Sequence, residues 1–178
     1  MDGGQSSSTV RLEVTKGVYF FMPNFDARRR AVLWHDIHHI LTGYSAGSFL
    51  GECEISAWEV ASGCRSYWAA FLIDTSGVLL GCYINPIKVL KAYARGRRTL
   101  NLYHDMYSQA EVLDTPVEEL RRRLKLDLYP KETRAELKDV ISFLMFLLFA
   151  AVYSILSIVF IPFLIVYNIW ILIKGEYR

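Results

Sequence analysis

Apolar residues recur at helical spacing over 26–42, where Val32, Leu33, Ile37, Ile40 and Leu41 fall on related faces, with Asp26 as a candidate N-cap and Gly43 as a stop. Ser45 or Ser48 can cap a second helix that runs to Ser62, before Gly63. The pattern predicts further helices over 66–72, 86–96 and 101–110. The stretch Thr115-Pro116-Val117-Glu118 opens another, with Thr as cap, Pro in the first turn and Glu118 closing a capping box. Upstream, "VRLEVTKGVYFFMPNF" alternates partly with period two, which suits a short strand or an extended arm, and no second strand stands out to pair with it. Residues 1–25 therefore read as a flexible N-terminal arm, its Gly- and Ser-rich first nine residues disordered.

The last long segment differs in kind. Between Val140 and Ile173 there is no charged residue, and the run exceeds the roughly 20 apolar residues that cross a bilayer core of about 30 Å. It lacks a polar turn, so one long helix, kinked or tilted near Pro162, is expected rather than a two-span hairpin. The predicted architecture is all-α: a compact helical domain over 26–135 followed by a transmembrane segment over 140–173.

Composition sharpens this picture. The hydrophobic share of 53% lies above the usual range of about 45–50% for soluble domains, and the excess sits in that segment. A net charge of +2 is too small to indicate nucleic acid, so no nucleic-acid partner is expected. Arg121, Arg122, Arg123, Lys125, Lys131, Arg134 and Lys138 precede the span, whereas only Lys174 and Arg178 follow it, which predicts a cytoplasmic domain. Cys53, Cys64 and Cys82 are odd in number and lack CxxC spacing, so they read as buried thiols of a reducing compartment.

Candidate chemistry concentrates in "HDIHHILTGYSAGSFLGE", His35 to Glu52, which holds three of the four histidines. His35 and His39 are four apart and share a helix face; Asp36 is adjacent, and a helical hairpin brings Glu52 back toward His39. Imidazoles with carboxylates suit zinc or iron, and three protein ligands leave a position open for water or substrate. A polar helix face would show the same spacing without any metal. The HxxHH box of membrane di-iron enzymes fails on the number of histidines, and an HD phosphohydrolase set built on His104, Asp105 and Asp127 lacks a basic, phosphate-binding pocket.

"HDIHHILTG" followed by "LGE" resembles the signature of the coenzyme Q biosynthesis protein four family, HDxxH with a later Gly-Glu, and the resemblance extends through "INPIKVLKAYARGRRTLNLY" and "TPVEELRRRLKLDLYP", covering about 28–130. The His39-to-Glu52 interval is one residue longer than the family's, which makes Glu54 the alternative ligand, and the membrane segment lies outside the family's usual core. The resemblance implies a divalent metal, zinc, on His35, Asp36, His39 and Glu52, the residues that would carry catalysis. It implies ubiquinone biosynthesis, with a polyprenylated quinone precursor as ligand, oxidative removal of the ring carboxyl at C1, or a scaffold role among other quinone-biosynthesis proteins. His38 is expected to support the ligands from outside or to face solvent. Tyr67, Trp68, Phe71, Leu72, Leu79, Leu80 and Tyr83 are candidate walls for an isoprenoid channel, and Arg95, Arg97 and Arg98 read as a solvated basic face or as partners of headgroups or a substrate carboxylate. The expected location is a bacterial inner membrane, as a single-pass protein open to homodimerisation.

Overall fold

The computed structural model describes residues 9–15, 18–104 and 106–174. Ten elements follow in order: strands β1 (Thr9–Thr15) and β2 (Val18–Pro23), then helices α1 (Asp26–Thr42), α2 (Phe49–Ser62), α3 (Trp68–Ile84), α4 (Pro86–Gly96), α5 (Gln109–Asp114), α6 (Val117–Arg123), α7 (Leu137–Ser157) and α8 (Ile161–Lys174). Short 3-10 turns lie at Leu102–His104 and Ile158–Phe160. The helical domain and the following apolar helix match the architecture expected from the sequence.

Four local expectations are corrected. The alternating N-terminal stretch is not one arm: β1 and β2 pair antiparallel, Thr9 opposite Pro23 and Thr15 opposite Val18, on either side of Lys16-Gly17. Alternation alone does not separate the two strands, which their antiparallel pairing does. The expected disorder of the first eight residues lies outside the described residues. Helix α3 does not stop at residue 72 but continues through Asp74, Ser76 and Gly77 to Ile84: Asp74 and Thr75 turn into the fold, and the Thr75 and Ser76 hydroxyls donate back to Phe71 O and Leu72 O of the same helix. The helix predicted over 101–110 is a 3-10 turn followed by the short α5. At the start of α6, Pro116 takes the cap position, and the Thr115 hydroxyl donates back to Glu111 O at 2.6 Å instead of capping forward.

Helix α2 lies at the centre, packed on α3 and α4. The approach is close enough that a Cβ on Gly96 of α4 would meet Trp58 O at 2.4 Å, and one on Gly81 of α3 would meet the Cys53 Cβ at 2.6 Å. Fully buried Trp58 donates its indole N–H to Thr99 Oγ1 at 2.8 Å, closing the α2–α4 contact. Helix α1 ends in a left-handed Gly43, φ 77°, whose N–H donates to His39 O.

The exit of α1 is held by cations. Arg95 Nη1 donates to Thr42 O at 2.9 Å, Arg121 donates to Leu41 O at 2.9 Å and Ile40 O at 2.8 Å, and Lys131 Nζ donates to Gly43 O at 3.2 Å. The last carbonyls of a helix otherwise have no partner, and positive charge there also complements the helix dipole. Arg95 is therefore not part of a solvated face: it is buried, with its Nε on Tyr129 O at 2.8 Å and its guanidinium 5.4 Å from the Tyr44 ring centre. Arg97 donates to Lys138 O, and Arg98 pairs with Asp139 and Glu136 at the entry to α7.

Leu137–Lys174 is one helix long and apolar enough to cross a membrane. Its first turns pack on the domain through Phe143 and Phe146 against Tyr93 and Phe149 against Phe71, and the helix tightens at the 3-10 turn just before Pro162. Beyond it, Asn168 bonds with both ends of its amide to the backbone of Phe21, accepting from the N–H at 2.7 Å and donating to the carbonyl at 3.0 Å. The hairpin is thereby docked on α8.

Replacing Arg95 by Met is expected to lower folding stability by about 2 kcal/mol, because buried carbonyls lose a charged donor. Denaturant titration of the detergent-solubilised protein checks this; an unchanged midpoint would show that the α1 exit does not need the guanidinium.

Candidate metal centre

Three helices meet at His35. On α1, His35 and His39 lie one turn apart with rings 4.8 Å between centres and nearly perpendicular. Helix α2 begins where the Ser48 hydroxyl accepts Gly51 N–H at 3.1 Å, which sets Glu52 in its first turn. His35 Nε2 is 3.2 Å from His39 Nε2 and 3.2 Å from Glu52 Oε2, and His39 Nε2 is 3.4 Å from the same oxygen. A tetrahedral zinc ion with bonds of about 2.0–2.2 Å has ligand-to-ligand edges of about 3.3–3.6 Å. The triangle is close to one face of such a tetrahedron.

Proton placement supports the fit. His39 Nδ1 faces Tyr44 O at 3.0 Å, a carbonyl that can only accept, so Nδ1 carries hydrogen and Nε2 of the neutral ring is a bare lone pair. His35 Nδ1 faces both Glu59 oxygens at 3.1 Å, which likewise leaves its Nε2 toward the triangle. Two imidazole lone pairs and a carboxylate oxygen thus converge, an arrangement that needs either a proton or a cation at its centre. His35, His39 and Glu52 could hold a metal ion, as could a second, deeper group of His35, Glu59 and Asp74.

Electrostatics follow the same lines when a proton takes that place. Burial lowers the His35 pKa, but the charge of Glu59 and bonds to Glu52 and Glu59 outweigh it and raise the value to about 11. Burial opposes ionisation of Glu52, yet its contacts with His35 and His39 bring it down to about 2. Glu59, fully buried, is held below the usual carboxylate range by His35 and His38 against the cost of burial. Asp74 is pushed well above that range by burial and by the charge of Glu59, both of which favour its protonated form.

Two corners of the triangle, His35 and Glu52, line a cleft of about 480 Å³ between α1, α2 and α3, with His39 buried behind them. Ala31, Val32, Phe49, Ile73 and Leu80 supply most of its walls, with Arg28 and Asp36 among the residues at its lining. Of the channel residues expected from sequence, Leu80 lines this cleft. Tyr67 stacks on Tyr103 and accepts from Trp34, Trp68 stacks on Phe25, Phe71 packs on α7, and Tyr83 is exposed.

The structure thus brings together His35, His39 and Glu52 of the expected ligand set. Asp36 lies outside both groups and is exposed, because neighbouring residues of a helix point about 100° apart. Glu54 is buried away from the triangle. His38 does not face solvent: it is fully buried on Glu59, the supporting position that its helical angle allowed. His104 donates to or accepts nothing at this site; it sits on Ser62 O at 2.7 Å, and Asp105 lies outside the described residues. Sequence reasoning missed Glu59 and Asp74. Glu59 follows Glu52 by two turns on the same face, and Asp74 is the only charged residue of α3, signals that together mark buried carboxylates.

The chain matches no family model, no curated protein and no solved structure.

The pH dependence of the metal-free protein follows from the shifted groups. A His35 pKa raised from 6.5 to about 11 gives stabilisation that is complete below pH 6.5 and is lost as pH rises through about 11. Glu52, depressed from 4.5 to about 2, gives stabilisation present above pH 4.5 and lost as pH falls through about 2. In chelator, the melting temperature of the wild type is expected to fall relative to His35→Gln as pH rises from 6.5 through about 11. Parallel curves for the two proteins would show that His35 does not carry this charge.

Proposed function

We propose that this is a membrane-anchored, metal-dependent protein of ubiquinone biosynthesis that binds a polyprenylated quinone precursor in the cleft between α1, α2 and α3. The observation that carries the reading is the convergence of His35, His39 and Glu52 ligand atoms beside an apolar cleft that His35 and Glu52 line. The resemblance of "HDIHHILTG" and "LGE" to the coenzyme Q biosynthesis protein four family supports the choice of substrate class and of zinc as the ion. A helix able to cross a membrane, with the basic residues gathered before it, supports anchoring with the domain on the cytoplasmic side of a bacterial inner membrane.

In this reading, His35, His39 and Glu52 hold the ion, which when bound acts as a Lewis acid toward ring oxygens. Ile73, Leu80 and Phe49 exclude water and receive the prenyl chain. The reaction taken from the resemblance breaks the bond between ring C1 and its carboxyl: carbon dioxide leaves, one oxygen atom of dioxygen takes its place as a hydroxyl, and the other leaves as water with two electrons and two protons from an external reductant.

Elemental analysis of detergent-purified protein is expected to find near-stoichiometric zinc in the wild type and a loss of most of it in His39→Ala and Glu52→Gln. Solvent extraction and mass spectrometry are expected to find a prenylated aromatic with the wild type, reduced in Leu80→Arg while zinc is retained. Absence of metal from the wild type would remove the enzymatic reading; metal without turnover of a prenylated hydroxybenzoate would leave a lipid-presenting scaffold.

A further inference from the structure

A chain of hydrogen bonds runs inward from the backbone after α4 and ends at the metal triangle. Leu102 N–H donates to His38 Nε2 at 2.9 Å, which places hydrogen on His38 Nδ1. That nitrogen donates to Glu59 Oε1 at 2.6 Å, and the Glu59 carboxylate accepts His35 Nδ1–H at 3.1 Å. The Tyr103 hydroxyl donates to the other oxygen, Oε2, at 3.3 Å. His38 and Glu59 are both fully buried, so neither can exchange these partners for water.

We infer that Glu59 is the positioning residue of the metal centre, fixing the His35 ring so that Nε2 rather than Nδ1 faces the ion; this rests on the function proposed above. The orientation is set two residues away from the ion. Because the Leu102 amide can only donate, His38 can only donate onward, and Glu59 receives hydrogen from every side. A carboxylate that accepts an imidazole N–H holds the ring and strengthens its opposite nitrogen as a ligand, and loss of such a partner typically costs about 10–100-fold in metal affinity. Gln at this position would turn an NH₂ group against His38 Nδ1–H or His35 Nδ1–H, both donors. The deeper group of His35, Glu59 and Asp74 is accordingly not where the ion sits: its oxygens are already occupied by these hydrogens.

The test is zinc titration of the chelator-stripped, detergent-solubilised full chain against a competing chromophoric chelator, for wild type, Glu59→Gln and Glu52→Gln. Glu59→Gln is expected to keep one zinc per chain with affinity lower by about 10–100-fold, and Glu52→Gln to lose the site. Unchanged affinity in Glu59→Gln overturns the positioning role alone, whereas no zinc in the wild type overturns the metal centre itself. Loss of zinc in Glu59→Gln with retention in Glu52→Gln would place the ion in the deeper group and also overturn the inference. Where Glu59→Gln does not fold, long-range proton–nitrogen correlation spectra of histidine-labelled wild type decide it. His35 is expected to carry hydrogen on Nδ1 with zinc bound, and a bare Nδ1 would refute the assignment.

Discussion

A carboxylate removed entirely from water at the centre of a helical domain is the constraint on which the other arrangements depend. Ionised Glu59 would be prohibitively expensive if left bare, so the fold must deliver donors to it from several directions. His35 and His38 come from α1, Tyr103 from the 3-10 turn after α4, and the carboxyl of Asp74 from α3. Three segments are therefore fixed relative to α2 by one side chain. That requirement explains why α3 tolerates a charged residue type in an otherwise apolar helix: burial and the charge of Glu59 favour the protonated form of Asp74.

The same economy of partners governs the end of α1. His38 and His39 lie in its last turns, where fraying would be greatest, and a metal triangle with edges of a few tenths of an ångström tolerance cannot sit on a frayed end. Arg95 from α4, Arg121 from α6 and Lys131 beyond it close the terminal carbonyls. These cations are spent on backbone, which leaves Arg28 as the basic residue of the cleft lining. An apolar cleft with Arg28 and His35 beside the Glu52 carboxylate is the setting that the proposed function draws on.

Much of this was legible in the sequence, for local reasons. The i, i+4 spacing of His35 and His39, the Gly43 stop and the Ser48 cap are properties of single helices and their ends, and all three appear where expected. Glu52 followed because the turn between two capped helices is short. What depended on distant partners was not legible. Arg95 looked like surface because nothing near it in the chain announces that Thr42 and Tyr129 will offer carbonyls. Glu59 drew no notice because its donors come from α1 and from Tyr103, far from it in the chain. The hairpin was lost differently: alternation continued across Lys16-Gly17, so two short strands read as one segment.

The apolar helix gains its meaning from where its packing stops. Helix α7 is tied to the domain by Arg98 on Asp139 at its start and by Phe143, Phe146 and Phe149 along one side, and from Ala151 onward most side chains are exposed. At 1.5 Å per residue, the remaining stretch to Lys174 spans roughly 35 Å, enough for a hydrocarbon core of about 30 Å. The domain-bound and membrane-competent parts are thus consecutive turns of the same helix, with no linker to let the domain swing away. Since α3 packs on α7 and also forms one wall of the cleft, a bilayer around the exposed turns would bring Ile73 and Leu80 close to its surface. Asn168 lies within that stretch, and the Phe21 backbone satisfies both ends of its amide while closing that point of the strand edge.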